Sequence, residues 1–416
     1  MNRSVARCCA LLLGLCPSWG VCAEAEKPAA PAASSSLHYI STTLENGSPL
    51  WWETDAEGNV RVHLIYDQER QSPNRAAGHW LFRVEAVPGS DLTLILGPFA
   101  NVWNGKLSRP VPEAKAAFIS DDGQTWRAID AEPAEPYHLR LRIHMNGPVL
   151  YVARLQPYRL SDLERFKAQI GGRSLVEIKP IGKTVEGREL EMIRAGKPDA
   201  PHCLLLRGRS HPWEPGGNWV IEGLLRRLLE EDEPARRYRD RYCVYVMPMA
   251  NKDGVARGYT RFNVQGMDLN RKWDAPADPV LAPEKVALEK WLDEMVAQGR
   301  RPDLAIDFHN DAGGRLHLSR PELPPAELEA YLAKMQRLES LLRKHSWFTE
   351  GSTGSNFRNP GSFGEGLIAR WGVTALVHEL NCNRIAGLDD YPTAANWIRY
   401  GEQLAEVFYL YFAAPQ

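Results

Sequence analysis

Cys203-Leu204-Leu205-Leu206-Arg207-Gly208-Arg209-Ser210-His211-Pro212-Trp213-Glu214 is the stretch that decides how this 416-residue chain reads. Its opening apolar run suits a strand buried on both faces of a sheet. Polar and turn-forming residues then break the run, and 219–229 resumes with helical character, so a strand ends here and a helix follows shortly. His211 and Glu214 lie on that turn with two residues between them. A tight turn with this HxxE spacing can bring an imidazole nitrogen and a carboxylate oxygen onto one cation. A third ligand should come from another strand end, and His309, which closes the apolar run 304–308, is the natural candidate. Two His and one Glu match a catalytic zinc set that leaves one position open for water. Alone, HxxE is a short pairing that arises by chance, and a His at a strand–loop junction is commonly a structural hydrogen-bonder.

Outward from this stretch, strands and helices alternate from about residue 160 onward. Runs 176–178 and 190–194 flank the turn Glu186-Gly187, and 202–206 and 242–247 are near-continuous apolar strands. Further strands are expected at 304–308 and 374–377, and helices at 219–229, 283–296, 326–345 and 393–412. Such alternation implies an α/β domain with a mixed, mostly parallel central sheet flanked by helices. Its site is expected beyond the carboxyl ends of the strands. Before it, residues 38–157 read differently. Short alternating runs at 60–66, 80–84, 93–96 and 137–143 are separated by Gly, Pro, Asn and Asp, with Asp122-Gly123 as a turn signal. This is the pattern of an antiparallel β-sandwich. The expected organisation is therefore a leader at 1–23, an Ala/Pro/Ser-rich linker at 24–37, a β-sandwich at 38–157 and a catalytic domain at 158–416.

Composition, with 44% hydrophobic and 25% charged residues, is globular. A formal net charge of −2 offers no global field for nucleic acid or for an anionic membrane surface. Arg3 and Arg7 precede the apolar run 9–16, and Val21-Cys22-Ala23 supplies small residues for cleavage after Ala23. This reads as a secretory leader, too short to span a bilayer, so export to a periplasmic or extracellular space without membrane insertion is expected. Of the seven cysteines only Cys203, Cys243 and Cys382 follow the leader, each in an apolar run. Buried free thiols are expected.

Four segments in order extend the metal reading: Ile181-Gly182-Lys183-Thr184-Val185-Glu186-Gly187-Arg188; His211-Pro212-Trp213-Glu214; Asn251-Lys252-Asp253-Gly254-Val255 followed by Arg261 and by Asp268-Leu269-Asn270-Arg271-Lys272-Trp273; and Asp307-Phe308-His309, with Glu379-Leu380 near the end. Over about 160–412 the chain resembles the zinc carboxypeptidase family, the carboxypeptidase A-like metallopeptidases. Gly258-Tyr259-Thr260-Arg261, Gly266-Met267-Asp268-Leu269-Asn270-Arg271 and the preceding β region resemble the cytosolic-carboxypeptidase subgroup. The resemblance implies that His211, Glu214 and His309 bind one zinc ion and that Glu379 is the general base and acid. It implies that Arg261 stabilises the oxyanion, that Asn270 and Arg271 hold the terminal carboxylate of a peptide, and that Asp268 supports His211. The chemistry is consistent with those residue types. One carboxylate can take a proton from water and return it to the leaving amine, and an Arg can grip a chain-end carboxylate bidentately. His378 is adjacent to Glu379 and should point to the opposite face of the strand, in a structural role. His317 and His345 read as ordinary surface or helix histidines.

Two departures bear on specificity. The loop Gly351-Ser352-Thr353-Gly354-Ser355-Asn356-Phe357-Arg358 contains no Tyr where many family members carry one; Phe357 could close a pocket but cannot donate a proton. The strand Val377-His378-Glu379-Leu380-Asn381 also differs from that of the subgroup. The subgroup's preference for C-terminal glutamate would make Arg315, Arg320, Arg358 and Arg384 candidates for an acidic side-chain pocket, with surface arginines as the plainer reading. Two alternatives stand beside a peptide carboxypeptidase. One is a cell-wall peptide hydrolase of the same fold acting near D-Glu and diaminopimelate. The other is a non-catalytic peptide-binding protein.

Overall fold

The apolar runs around the HxxE turn become neighbouring strands of one sheet. In the computed structural model, residues 36–108, 114–320, 322–353 and 361–413 are described. The expected leader, nearly all of the expected linker, and Phe357 and Arg358 lie outside them. Leu37 already belongs to the first strand.

The N-terminal part contains β1 (Leu37–Ser41), β2 (Leu50–Thr54), β3 (Val60–Leu64), β4 (Asp67–Gln68), β5 (Arg75–Ala76), β6 (Leu81–Ala86), β7 (Asp91–Gly97), β8 (Asn101–Trp103), β9 (Lys106–Ser108), β10 (Ala116–Ser120), β11 (Arg127–Asp130), β12 (Glu132–Pro133), β13 (Leu139–His144) and β14 (Val149–Ala153). Two sheets, ordered β1-β6-β14-β10-β11 and β12-β13-β7-β3-β2, enclose a core that includes Trp80, Phe82, Leu94, Leu141 and Val152. Alternation explains the arrangement: in β3 every second residue is buried, as one face of a two-sheet stack requires. The pairing is antiparallel except between β3 and β7. A separate small sheet, β4-β5-β8-β9, has no counterpart in the sequence reading. Its strands are two or three residues long, too short for a periodicity signal.

The remainder follows as α1 (Leu160–Ile170), β15 (Val176–Lys183), β16 (Glu189–Ala195), β17 (His202–Gly208), α2 (Gly216–Leu228), α3 (Glu233–Arg241), β18 (Tyr242–Met247), α4 (Lys252–Arg257), α5 (Pro283–Ala297), β19 (Leu304–Asp311), β20 (Leu316–Leu318), α6 (Pro325–His345), α7 (Phe363–Trp371), β21 (Ala375–Asn381) and α8 (Ala394–Tyr411). The sheet order is β15-β16-β18-β17-β19-β21-β20. Its centre, β18-β17-β19-β21, is parallel and its outer pairs are antiparallel. Leu204, Leu205, Leu206, Val244, Phe308 and Leu376 are fully buried between helical layers, which is why these strands read as unbroken apolar runs. From β17 the chain moves to one neighbour, β18, and then crosses to the other, β19. That makes the β17/β19 boundary the point where a crevice opens.

Two strands run further than expected. β19 continues past His309 to Asp311, and β21 continues through Glu379 to Asn381. His309 and Glu379 are direct partners in this parallel ladder, so neither stands free at a strand end. The polar residues remain in register because the neighbouring strand supplies their backbone hydrogen bonds. Cys203, Cys243 and Cys382 are buried, and none is in a disulfide among the described residues. Among the described residues no helix is long and apolar enough to cross a membrane.

Helix α2 begins two residues after the HxxE turn and is clamped by α8. A Cβ placed on Gly223 would lie 2.0 Å from the Ile398 carbonyl oxygen, and one on Gly401 would lie 1.9 Å from that of Val220. Backbone meets backbone here, with nothing flexible to give way. Gly401→Ala should therefore cost at least about 1–3 kcal/mol, the usual penalty of overpacking. A denaturant midpoint equal to that of the wild type would show that the helices can separate freely.

Candidate metal centre and active site

The turn after β17 is shaped by Arg209, which has a left-handed φ of 61° and is buried. A non-glycine residue in this region costs of order 1–3 kcal/mol and persists only when its surroundings hold it. Here the Arg209 Nε donates to the Pro212 carbonyl (2.7 Å) and Nη1 to Asn218 Oδ1 (3.2 Å), which pins the turn to the start of α2. His211 and Glu214 are thereby aimed at β19. Gly217 permits the approach, since a Cβ on it would be 2.6 Å from the Cβ of Phe308.

His211 Nδ1 lies 2.8 Å from Glu214 Oε1, His309 Nδ1 lies 2.8 Å from Glu214 Oε2, and the two Nδ1 atoms are 3.1 Å apart. The outer nitrogens face carboxylates: His211 Nε2 is 3.2 Å from Asp268 Oδ1, and His309 Nε2 is 2.6 Å from Asp307 Oδ2. If each Nε2 donates its proton outward, both Nδ1 lone pairs and the Glu214 carboxylate converge on one point as acceptors without a donor. That arrangement suits a cation. All three residues are buried, and their donor set suits zinc. The ionisation equilibria agree. Burial opposes charge on His309, but Asp307 and Glu214 outweigh it and hold the imidazole pKa well above its ordinary value. Burial likewise opposes charge on Glu214, yet His211 and His309 bring its pKa to about 2.

The other anticipated residues surround this centre. Asp268 is shared: beyond His211 it accepts Arg261 Nε (2.8 Å) and Nη2 (2.7 Å) on Oδ2 and the Asn270 N–H (2.8 Å) on Oδ1. Asn270 Oδ1 is taken by the Phe363 N–H (2.9 Å), which leaves its amide NH2 as the group for a ligand. Arg271 Nη1 donates to the Asn270 carbonyl (2.8 Å). Across the crevice, Glu379 is the β21 partner of His309, and its Oε2 is shut off from solvent with no hydrogen-bond partner. Burial, reinforced against His309 and Arg261 by Asp311 and Glu214, raises the Glu379 pKa well above the ordinary carboxylate range. A carboxyl poised in this way can both accept and return a proton. His378 points to the opposite face, bonded to Tyr400 Oη (2.7 Å), in a structural position.

Several residues here escaped the sequence reading. Asp307 receives Arg207 bidentately (2.9 and 2.5 Å) as well as His309; its position two before His309, on the same strand face, was the available signal. His317 is not an ordinary surface histidine. It lies on β20, with a ligating atom close to Asp311 and Glu379. A three-residue edge strand has no pattern of its own, and its pairing to β21 is what brings His317 there. His345, by contrast, lies at the end of α6, 3.5 Å from Glu406. Arg384 is exposed and paired with Asp389 (2.7 Å).

The small N-terminal sheet also reaches the site. Asp67 accepts the backbone N–H groups of Thr260 (3.0 Å), Arg261 (2.7 Å) and Phe262 (2.7 Å), so it sets the loop that carries Arg261. The Trp103 ring lies 4.3 Å from the Arg261 guanidinium carbon and 5.3 Å from that of Arg271. Trp103→Ala should lower kcat/KM by about 2- to 30-fold, the worth of a cation–π contact of ~0.5–2 kcal/mol, and Trp103→Phe should restore most of it. Unchanged kinetics in the alanine variant would show that this ring does not hold the arginines.

Fold and site together define a carboxypeptidase-like α/β scaffold with a candidate His/Glu/His metal centre between the turn after β17 and the strand β19. The zinc carboxypeptidase family matches residues 164–299 of the chain. Among relatives, an uncharacterized protein of Zymomonas mobilis is 29% identical over 259 residues, 62% of this chain and 64% of that protein. Mouse cytosolic carboxypeptidase 1 is 35% identical over 106 residues, 26% of this chain. The chain thus spans 64% of the first relative's length and 9% of the second's. Among solved structures, a metallo-carboxypeptidase from Burkholderia cenocepacia superposes with a TM-score of 0.76 at 20% identity, covering 90% of this chain and 98% of that one. A metallo-carboxypeptidase from Pseudomonas aeruginosa, in complex with (2-guanidinoethylmercapto)succinic acid, superposes at 0.74 with 21% identity and the same coverages. At these identities the likeness bears on the fold.

Proposed function

We propose that this protein is a zinc-dependent metallocarboxypeptidase that hydrolyses the last peptide bond of peptides. The observation that carries this reading is the convergence of the His211, Glu214 and His309 acceptors on one point, with Glu379, whose Oε2 is buried and unpartnered, beside them. Zinc held by the three residues supplies a Lewis acid and lowers the pKa of water toward about 7. Glu379 accepts the proton from water and passes it to the departing amine. Arg261, held by Asp268, offers a fixed positive charge to the developing oxyanion. Asn270 and Arg271 hold the chain-end carboxylate, which restricts cleavage to the last bond.

Chelation should abolish activity and one equivalent of zinc should restore it. A peptide with an amidated C-terminus should be cut at least about 100-fold more slowly than the free acid, because a site built for a polar group rejects a ligand lacking it. Equal rates on the two would replace the exopeptidase reading with an endopeptidase one.

Two finer parts of the proposal rest on the sequence. Export is supported by the leader-like residues 1–23, and an exported protein beginning at Glu24 would bear it out. Preference for an acidic C-terminal residue is supported by the resemblance and by the exposed Arg315, whose carbonyl accepts the Glu379 N–H (3.0 Å). A panel of peptides ending in Glu, Lys or Phe, run alongside muropeptides, tests it. Cleavage of muropeptides alone would favour the cell-wall alternative.

A further inference from the structure

We propose that the cavity between the small N-terminal sheet and the Arg261 loop binds one small anion, a carboxylate or an inorganic ion, apart from the metal centre. The cavity measures about 180 Å³. That is ample for such a group, since a single water needs only about 10–15 Å³. Arg75 on β5, Arg154 just after β14 and Arg261 all line it, and no Asp or Glu does. Arg261 has its counter-charge in Asp268. Among the described residues, Arg75 and Arg154 have none. Arg75 Nε donates to the Ala100 carbonyl (3.2 Å), and Arg154 Nη1 to the Gly78 carbonyl (2.8 Å).

Arg154 is the telling residue, because it is buried, with 6% of its surface exposed. A buried charge ordinarily has a partner of opposite sign. The rings of Trp213 (4.0 Å) and Trp80 (5.4 Å) meet part of that need. They bring no conventional acceptor for the other N–H groups of the guanidinium. Asp67, on the neighbouring strand β4, is already engaged by three backbone N–H groups of the Arg261 loop. The excess of positive charge is felt nearby: the His79 pKa is brought down to about 4, by burial first, with Arg209 and Arg154 adding to it.

The other polar side chains of the cavity have their acceptors spent and their donors left. Asn101 Oδ1 is taken by the Ala77 N–H (2.8 Å), which leaves the amide NH2. Thr260 Oγ1 accepts the N–H groups of Gly78 (3.0 Å) and His79 (3.2 Å), so its own proton remains to be given. The indoles of Trp103 and Trp213, also in the wall, can only donate. A chamber of donors with two unmatched guanidiniums selects an anion, and Arg grips a carboxylate with two parallel bonds. The anion comes either from solution or from an acidic side chain of a peptide, upstream of the cleaved bond. Only the second source rests on the carboxypeptidase reading.

The test has a binding arm and a peptide arm. In the first, the metal-free full chain is melted in rising acetate or chloride. Its midpoint should climb by at least about 2 °C by about 100 mM, as ligand binding to the folded state requires. Arg154→Gln should fold, because it removes a charge without a partner, and should lose that climb. Arg75→Gln, at a half-buried position, keeps the test open if Arg154→Gln does not fold. It should need about 10- to 100-fold more anion, the worth of a hydrogen bond to a charged group. In the second arm, the zinc-loaded protein is given peptides with one common last residue and Glu or Gln at the second or third place from the end. A 10- to 100-fold preference for Glu in kcat/KM, of about the same worth, that disappears in the variants would assign the anion to the substrate. A flat series with a climbing midpoint would assign it to solution.

A wild-type midpoint indifferent to both anions, together with a flat peptide series, would overturn the proposal. So would an anion response of equal size in the wild type, Arg154→Gln and Arg75→Gln, which would be a general effect of salt. Anion binding without turnover of any peptide would instead overturn the carboxypeptidase reading and leave the anion site standing.

Discussion

Glu379→Gln is expected to lower kcat by about 10²–10⁴ while the zinc ion stays bound, because the amide can neither take a proton nor return one. The substitution is close to isosteric on a strand whose ladder to β19 is set by backbone groups, so the amide side chain would occupy the place of the carboxylate. Glu379 is not among the three residues that converge on the metal point, and zinc affinity there should survive. KM should change little if Asn270 and Arg271 bind the substrate carboxylate. The decisive measurement pairs zinc content with steady-state kinetics at saturating peptide. A variant that retains most of its kcat would remove Glu379 from the chemistry. A variant that loses its zinc together with its activity would make it a ligand.

Asp307→Asn is expected to give the largest loss of stability of any single change at the site. Asp307 is completely buried and gathers the Arg207 guanidinium, His309 Nε2 and the Ser210 hydroxyl (3.2 Å). Arg207 is itself buried, between the rings of Trp273 (4.9 Å) and Phe363 (4.2 Å). Removing the carboxylate charge leaves that guanidinium without a counter-charge in the interior, which costs about 3–5 kcal/mol. It also removes the anionic acceptor that orients His309, for which a further ~10- to 100-fold loss of zinc affinity is expected. Denaturant unfolding of the metal-free protein isolates the first effect and competition with a chelator the second. Unfolding at the wild-type midpoint would mean that Arg207 finds another partner.

The same carboxylates set an acid limit. Burial opposes their charge, but Arg207 and His309 depress the pKa of Asp307, and Arg261 and His211 that of Asp268. Groups whose folded pKa lies below the unfolded value contribute fully above that unfolded value, about 4, and their contribution is lost as pH falls toward the folded one. The metal-free protein should therefore hold its stability through neutral pH and weaken only below about pH 4 on their account.

The candidate metal centre was legible because its parts are local. HxxE lies on one turn, His309 closes an apolar run, and the opposition of Glu379 and His378 follows from strand alternation alone. The residues that support the site were less legible. Asp307 lay within a matching segment but without a role, since nothing in the sequence places Arg207 against it. His317 read as a surface residue because β20 has three residues and exists only through its pairing with β21. Trp103 and Asp67 come from strands of two or three residues, more than 150 positions before the loop they hold.

Sequence alone determined the layout of alternating strands and helices and the identity of the metal-binding turn, because backbone periodicity and turn chemistry act over a few residues. Tertiary structure decided which carboxylate backs each histidine, that two strands run on past His309 and Glu379, and that Asp311 and His317 meet beside the base. Those outcomes depend on register between strands far apart in the chain. Register is set by packing across the whole sheet, and no short window of sequence contains it.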